Sequence, residues 1–216
     1  MNISEIVKLL AKEYGDLNWC SHRDPLAELI LTILSQNTSD HNSRRAFSSL
    51  ISTFGDLNAI ADADVEHIVQ AINIGGLARV KAPRIKRVIE QILAERGSLD
   101  LYFLGELPVA DAKSWLRRLP GVGPKTVGCV LLFSLGKPVL PVDTHVYRVA
   151  KRLGLIGARV SAEQAHEILG DLVPDEDVYR FHVYLVQHGR EVCKSQHPRC
   201  AQCVFREDCP TGQLLL

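Results

Sequence analysis

The chain is written in helix-length segments. From ISEIVKLLAKEYG near the N-terminus to DVYRFHVYLVQHGR near the C-terminus, apolar residues recur at helical spacing, and Gly, Pro or a polar capping residue bounds each segment. Asp24-Pro25 opens a second segment, LAELILTILSQN, apolar on nearly every side. SDHNSRRAFSSLISTFG is a third and stops at Gly55, and Asp62 and Asp64 open DADVEHIVQAI. A glycine turn, NIGGL, leads into the basic helix ARVKAPRIKRVIEQILAERG. PVADAKSWLRR, GPKTVGCVLLFSLG, DTHVYRVAKRLG and SAEQAHEILGDLV complete the set. No stretch alternates with the two-residue period that a half-buried strand requires, and no internal repeat or low-complexity tract is present. The expected fold class is all-α.

A chain of 216 residues accommodates one large domain or two small ones, and its 46% hydrophobic content suffices for a core. No apolar run reaches the ~18 residues of a membrane span. The N-terminal segment is amphipathic and carries Glu5 and Glu13, unlike a signal or transit peptide, so a cytoplasmic location away from membranes is expected. Net charge is zero, with 25 basic and 25 acidic residues, which taken alone argues against a nucleic-acid partner. The distribution argues the other way: Leu77 to Val160 holds 15 Lys and Arg against 6 Asp and Glu. A neutral chain with one basic half can present a strong local positive field.

Residues 119–126 read LPGVGPKT. Gly121 and Gly123 allow the positive φ angles of a tight turn between helices, and Pro124 suits the first helical position, where an N–H has no partner anyway. Backbone amides around Gly121, Val122 and Gly123 can approach an anion at the start of a helix, a device that grips phosphate without reading sequence. An ordinary hairpin turn has the same signature. Lys125 falls in the first helical turn, where the helix dipole disfavours a cation. Partial burial would further favour its neutral amine, a competent nucleophile near neutral pH. A surface lysine on a phosphate is the plainer alternative.

PVDTHVYRVAKRLG places Asp143 as an N-cap before apolar residues at helical spacing. Backbone N–H bonds favour a carboxylate, which suits a group meant to stabilise a developing cation, although capping alone is the commoner role. Six cysteines are present, and four of them, Cys193, Cys200, Cys203 and Cys209, cluster as C-x6-C-x2-C-x5-C. Clustered cysteines without an export signal point to metal rather than disulfides, either zinc or a 4Fe–4S cluster. Lys194, His197 and Arg199 would make the intervening loop a basic one, suited to a phosphate backbone. Cys20 and Cys129 stand in apolar settings and are expected to be buried thiols.

LPGVGPKT, then PVDTHV, then the cysteine cluster resemble endonuclease III, the bifunctional branch of the helix-hairpin-helix DNA glycosylase superfamily. The resemblance runs from about Pro25 to Cys209, and the three motifs in this order are far more specific than any one alone. It implies a six-helix barrel carrying the hairpin over residues 19–136. A second helical domain, residues 1–18 and 137–216, would hold a 4Fe–4S cluster on the four cysteines. Lys125 and Asp143 would face each other across the cleft. The implied enzyme acts on double-stranded DNA containing damaged bases or abasic sites, as a monomer associated with the nucleoid. It flips an oxidised pyrimidine out of the duplex. Lys125 attacks C1′, Asp143 stabilises the positive charge, and the strand breaks 3′ to the lesion by β-elimination. The resemblance also implies an apolar wedge in Gly76-Leu77-Ala78-Arg79-Val80-Lys81-Ala82, namely Leu77, though a buried turn leucine would read alike. A polar plug is implied in SQNTSD, where Asn37 stands in place of the usual glutamine and Gln36 comes one residue early. Asp40 matches a family acid or caps a helix from Ser39.

Three other readings use parts of the same pattern. A monofunctional mismatch glycosylase keeps the aspartate and the cluster but lacks Lys125. A non-catalytic helix-hairpin-helix protein needs the glycine turn and basic helices but neither Lys125 nor Asp143. A zinc-stapled interaction domain would need only the cysteines.

Overall fold

The computed structural model describes residues 1–215. They form twelve α-helices and several short 3-10 turns, with no strand among the described residues. No helix among them is long and apolar enough to cross a membrane. The chain divides into two compact units, one spanning Ser21–Lys137 and the other combining Met1–Cys20 with the segment from Pro138 onward.

In the first unit, α2 (Pro25–Ser35) starts where Asp24 accepts hydrogen bonds from the Leu26 and Ala27 amides. Its residues Leu29, Ile30, Ile33 and Leu34 are fully buried, which explains a helix apolar on nearly every side. Each such side chain contributes ~2 kcal/mol by leaving water. Helix α3 (Asp40–Phe54) is capped by Ser39, not Asp40, and stops at Gly55 with φ +79°. Short α4 (Ala59–Asp62) takes Asp62, so only Asp64 precedes α5 (Val65–Ile72). The basic helix α6 (Ala78–Arg96) begins after Leu77 and ends at Gly97. Ile85, Val88, Ile89 and Ile92 on its inner face close the core against α5 and α2. Helix α7 (Val109–Arg117) and α8 (Pro124–Cys129) flank the LPGVGPKT turn. The segment expected to run on as one regular helix changes to π winding over Val130–Ser134.

The second unit packs α1 (Ile3–Tyr14), started by an Asn2–Glu5 capping box, against α11 (Val178–Glu191). Helix α9 (Thr144–Arg152) lies on the other flank of α11, with Val146, Val149 and Ala150 buried. A second capping box, Ser161 with Gln164, opens α10 (Ala162–Leu172), and α12 (Pro210–Leu215) follows the cysteines. Cys129 is buried as expected, but Cys20 is exposed, because the chain around it has left α1 and no element covers it.

Candidate functional site

The hairpin turn is built by its two glycines in different ways. Gly121 has φ +74°, and a Cβ there would lie 2.4 Å from Arg84 Cδ and Nε. Gly123 has φ −95°, so the expected second positive φ is absent, and open space surrounds it. The Val122 side chain is buried and its amide donates to Leu119 O at 3.2 Å, closing the turn. Among the described residues the Gly121 and Gly123 amides donate to nothing, and with the first-turn amides of Lys125 and Thr126 they leave free donors at the mouth of α8. Lys125 follows one residue inside α8, half-buried, with no hydrogen bond or ion pair to its ammonium among the described residues.

The wedge and plug candidates share an unusual backbone. Only three non-glycine residues among those described have positive φ: Asn37 (+52°), Leu77 (+54°) and His197 (+50°). Leu77 is 52% exposed, so it is not a buried turn leucine, and Ile74 and Val80 beside it are exposed as well. Asn37 is exposed, whereas Gln36 is half-buried and held. Gln36 accepts from Arg84 Nη1 and donates through Nε2 to Gly121 O at 3.2 Å. The two amides therefore differ in freedom, and Asn37 is the one at the loop tip.

In the other unit Asp143 caps α9. A single oxygen, Oδ1, accepts from the His145 and Val146 amides, both at 2.8 Å, which leaves Oδ2 without a partner among the described residues. The same helix carries Arg148 and Arg152, which hold the start of the cysteine segment. Arg148 donates to Cys193 O at 3.0 Å and Gly189 O at 2.8 Å. Arg152 reaches Cys193 Sγ at 3.3 Å, Lys194 O at 2.6 Å and Ser195 O at 3.1 Å. The sequence reading missed these arginines, which it counted only as part of a positive field. Their i, i+4 spacing ahead of a cysteine cluster was the available signal.

Cys193, Cys200, Cys203 and Cys209 line one cavity together with Arg152, Val192 and Pro198. Among the described residues no three His, Cys, Asp or Glu side chains converge as ligands of a single metal ion. The donors around the sulfurs suit thiolates: the Phe205 amide at 3.4 Å from Cys203 Sγ, the Gly212 amide at 3.3 Å from Cys209 Sγ, and the Arg152 guanidinium on Cys193. Burial pushes the Cys203 thiol up to about 11, a cost that a bound cation removes by deprotonating the thiol outright. Buried His188 lies between Tyr14 Oη (2.9 Å to Nδ1) and Cys203 Sγ (3.4 Å to Nε2). Burial lowers its pKa to about 4, so the imidazole is neutral. With Tyr14 donating to Nδ1, the network assigns the proton to Nε2, pointing at the sulfur. Lys194 and Arg199 make no side-chain hydrogen bond or ion pair among the described residues and remain available to a ligand.

Comparison with known proteins agrees with these features. Residues 30–175 match the HhH-GPD superfamily base excision DNA repair protein family. Endonuclease III of Sulfolobus acidocaldarius is 35% identical over 97% of this chain and 92% of its own length. The Thermotoga maritima endonuclease III is 35% identical over 95% of this chain and 89% of its own. Endonuclease III trapped as a covalent intermediate with DNA superposes with a TM-score of 0.83 at 30% identity, covering 99% of this chain and 96% of that one. Since the family match takes in the hairpin, Lys125 and Asp143 and the relatives span nearly the whole chain, this protein belongs to the HhH-GPD superfamily of base excision DNA repair proteins.

Proposed function

We propose that the chain is a bifunctional DNA glycosylase and abasic-site lyase acting on oxidised pyrimidines in double-stranded DNA. The observation that carries this reading is Lys125: an unpaired, half-buried amine in the first turn of α8, directly behind two free hairpin amides. A non-catalytic hairpin protein could use Lys125 on a phosphate but has no use for it together with Asp143, whose Oδ2 is left without a partner among the described residues.

The Gly121 and Gly123 amides grip a phosphate beside the lesion, and Leu77 and Asn37 fill the gap left by the flipped nucleotide. Lys125 Nζ attacks C1′, and the C1′–N bond to the base breaks, with the base leaving as it takes up a proton. Asp143 faces the positive charge with Oδ2 while the α9 amides hold Oδ1. Opening of the sugar ring gives a Schiff base between C1′ and Nζ. Loss of a C2′ proton then breaks the C3′–O3′ bond, so the strand is cut 3′ to the lesion. The four cysteines hold a 4Fe–4S cluster. The four cysteines line one cavity and would supply four thiolates to such a cluster, and the similarity to endonuclease III favours it over zinc. The cluster orders the 193–209 segment, which presents Lys194 and Arg199 to the phosphate backbone.

The test is a borohydride trap on duplex DNA carrying one thymine glycol. A covalent protein–DNA band in the wild type that is lost in Lys125→Gln is the expected result. Base loss without a band would mean a monofunctional enzyme led by Asp143, and an intact base would mean a DNA-binding protein without this chemistry.

A further inference from the structure

Helix α6 carries two cations one turn apart that face inward. Lys81 is 2% exposed, and its ammonium donates to Leu34 O at 2.6 Å and Gly75 O at 3.2 Å. No carboxylate pairs with it among the described residues. A buried ammonium satisfied only by carbonyls is a costly way to fill core space, and burial lowers its pKa accordingly. Arg84 donates to Gln36 Oε1, lies against Gly121, and through Gln36 reaches Gly121 O. Both cations therefore hold the end of α2, Lys81 at Leu34 and Arg84 at Gln36. Each also reaches one further loop, Lys81 the turn before Leu77 and Arg84 the hairpin. Gly75 is in turn pressed on α3, where a Cβ would stand 2.8 Å from Ala46 Cβ.

We propose that Lys81 and Arg84 are positioning residues for base extrusion, fixing Leu77, Asn37 and the Gly121 turn to one another through α6. This rests on the glycosylase reading above. Asn37 directly follows the clamped Gln36, and Leu77 is the N-cap of α6, one turn before Lys81. An apolar wedge can displace a base only if it enters the stack in step with the grip on the neighbouring phosphate. A shift of a fraction of a side chain between the two would disengage one when the other is seated.

The experiment compares two substrates in Lys81→Met and Arg84→Met: duplex DNA with thymine glycol, and a single-stranded oligonucleotide with one preformed abasic site, which requires no base to be pushed from a stack. Duplex excision should fall about 10- to 100-fold while single-strand cleavage stays near the wild-type rate. The fluorescence rise of 2-aminopurine placed beside the lesion, which reports unstacking, should slow in parallel with excision. If Lys81→Met does not fold, Arg84→Met and the double variant with Gln36→Ala carry the test, the double being no worse than the single. Equal loss on both substrates would mean a general stability role, and unchanged duplex excision would mean no role; either result overturns the inference. Failure of the wild type to excise thymine glycol from the duplex, the reference reaction for both variants, would instead overturn the proposed function.

Discussion

The hairpin offers a sharp test, because its two glycines should fail differently when replaced by alanine. Gly121 has φ +74°, and its Cβ would stand 2.4 Å from Arg84 Cδ and Nε and 2.8 Å from Cζ. Left-handed backbone costs a non-glycine residue ~1–2 kcal/mol. Arg84 must also move and release Gln36, a further ~1 kcal/mol. The total is ~2–3 kcal/mol, and at ~2–4 °C per kcal/mol for a chain of this size Tm should fall by ~5–10 °C. Gly123→Ala meets nothing within 4 Å at φ −95°. Stiffening of the unfolded chain stabilises it by ~0.4–1 kcal/mol, and loss of a glycine N-cap costs a similar amount. Its Tm should thus stay within ~2 °C of wild type. Yet the new methyl would stand beside a free amide where a phosphate must come close, and affinity for lesion-containing duplex should fall ~10-fold, about 1.4 kcal/mol. Thermal melting and fluorescence anisotropy at one fixed salt concentration measure both quantities. Wild-type binding by Gly123→Ala would refute the phosphate contact, and a wild-type Tm for Gly121→Ala would refute the account of the turn.

Leu77→Gly should relieve ~1–2 kcal/mol of left-handed strain and lose a similar amount in half-buried contact and chain entropy, leaving Tm near wild type. Excision from duplex should nonetheless drop ~10-fold or more, and a large loss of Tm would show that Leu77 is a core anchor. Lys194→Ala and Arg199→Ala should each reduce the slope of log affinity against log salt by about 1, and an unchanged slope would remove that residue from the interface. Cys203→Ser should abolish the visible absorbance of the purified protein and sensitise the 193–209 segment to proteases. A colourless wild type containing zinc would refute the cluster.

What the sequence exposed was local. Asp24, Ser39 and Asp143 are legible as caps because the hydrogen bonds they make go to amides two or three residues away. The all-helical class is legible because a helix satisfies its own backbone. Where a long side chain ends is not legible, since tertiary neighbours decide it. Lys81, Lys86, Lys137, Arg148 and Arg152 all finish on backbone carbonyls within the fold, so much of the positive excess over Leu77–Val160 faces inward rather than toward DNA. Cys20 was misread for the same reason: an apolar neighbourhood in sequence says nothing about what covers it in space. The change to π winding at Val130 likewise has no signature in GCVLLFSLG, whose apolar residues pack with either helix.

Strain separates the functional loops from the merely structural ones. The turns at Gly15, Gly55, Gly97, Gly136 and Gly154 meet the same demand for positive φ with glycine, at little steric cost. At position 77 the chain places an exposed leucine instead, at a cost of ~1–2 kcal/mol, and at position 37 an exposed asparagine, a residue type that tolerates left-handed backbone at less cost. An exposed leucine in left-handed backbone is unfavourable twice over, so neither stability nor topology accounts for it. The proposed wedge role would account for it, since there the exposed side chain is what the position requires. The clamps behind it follow from that requirement: Lys81 on Gly75 and Leu34, and Arg84 on Gln36 and the hairpin, resist the relaxation that strain would otherwise drive. If Leu77 is the wedge, one that could relax would yield to a stacked base, whereas one braced through α6 would transmit binding energy from the phosphate grip into the stack.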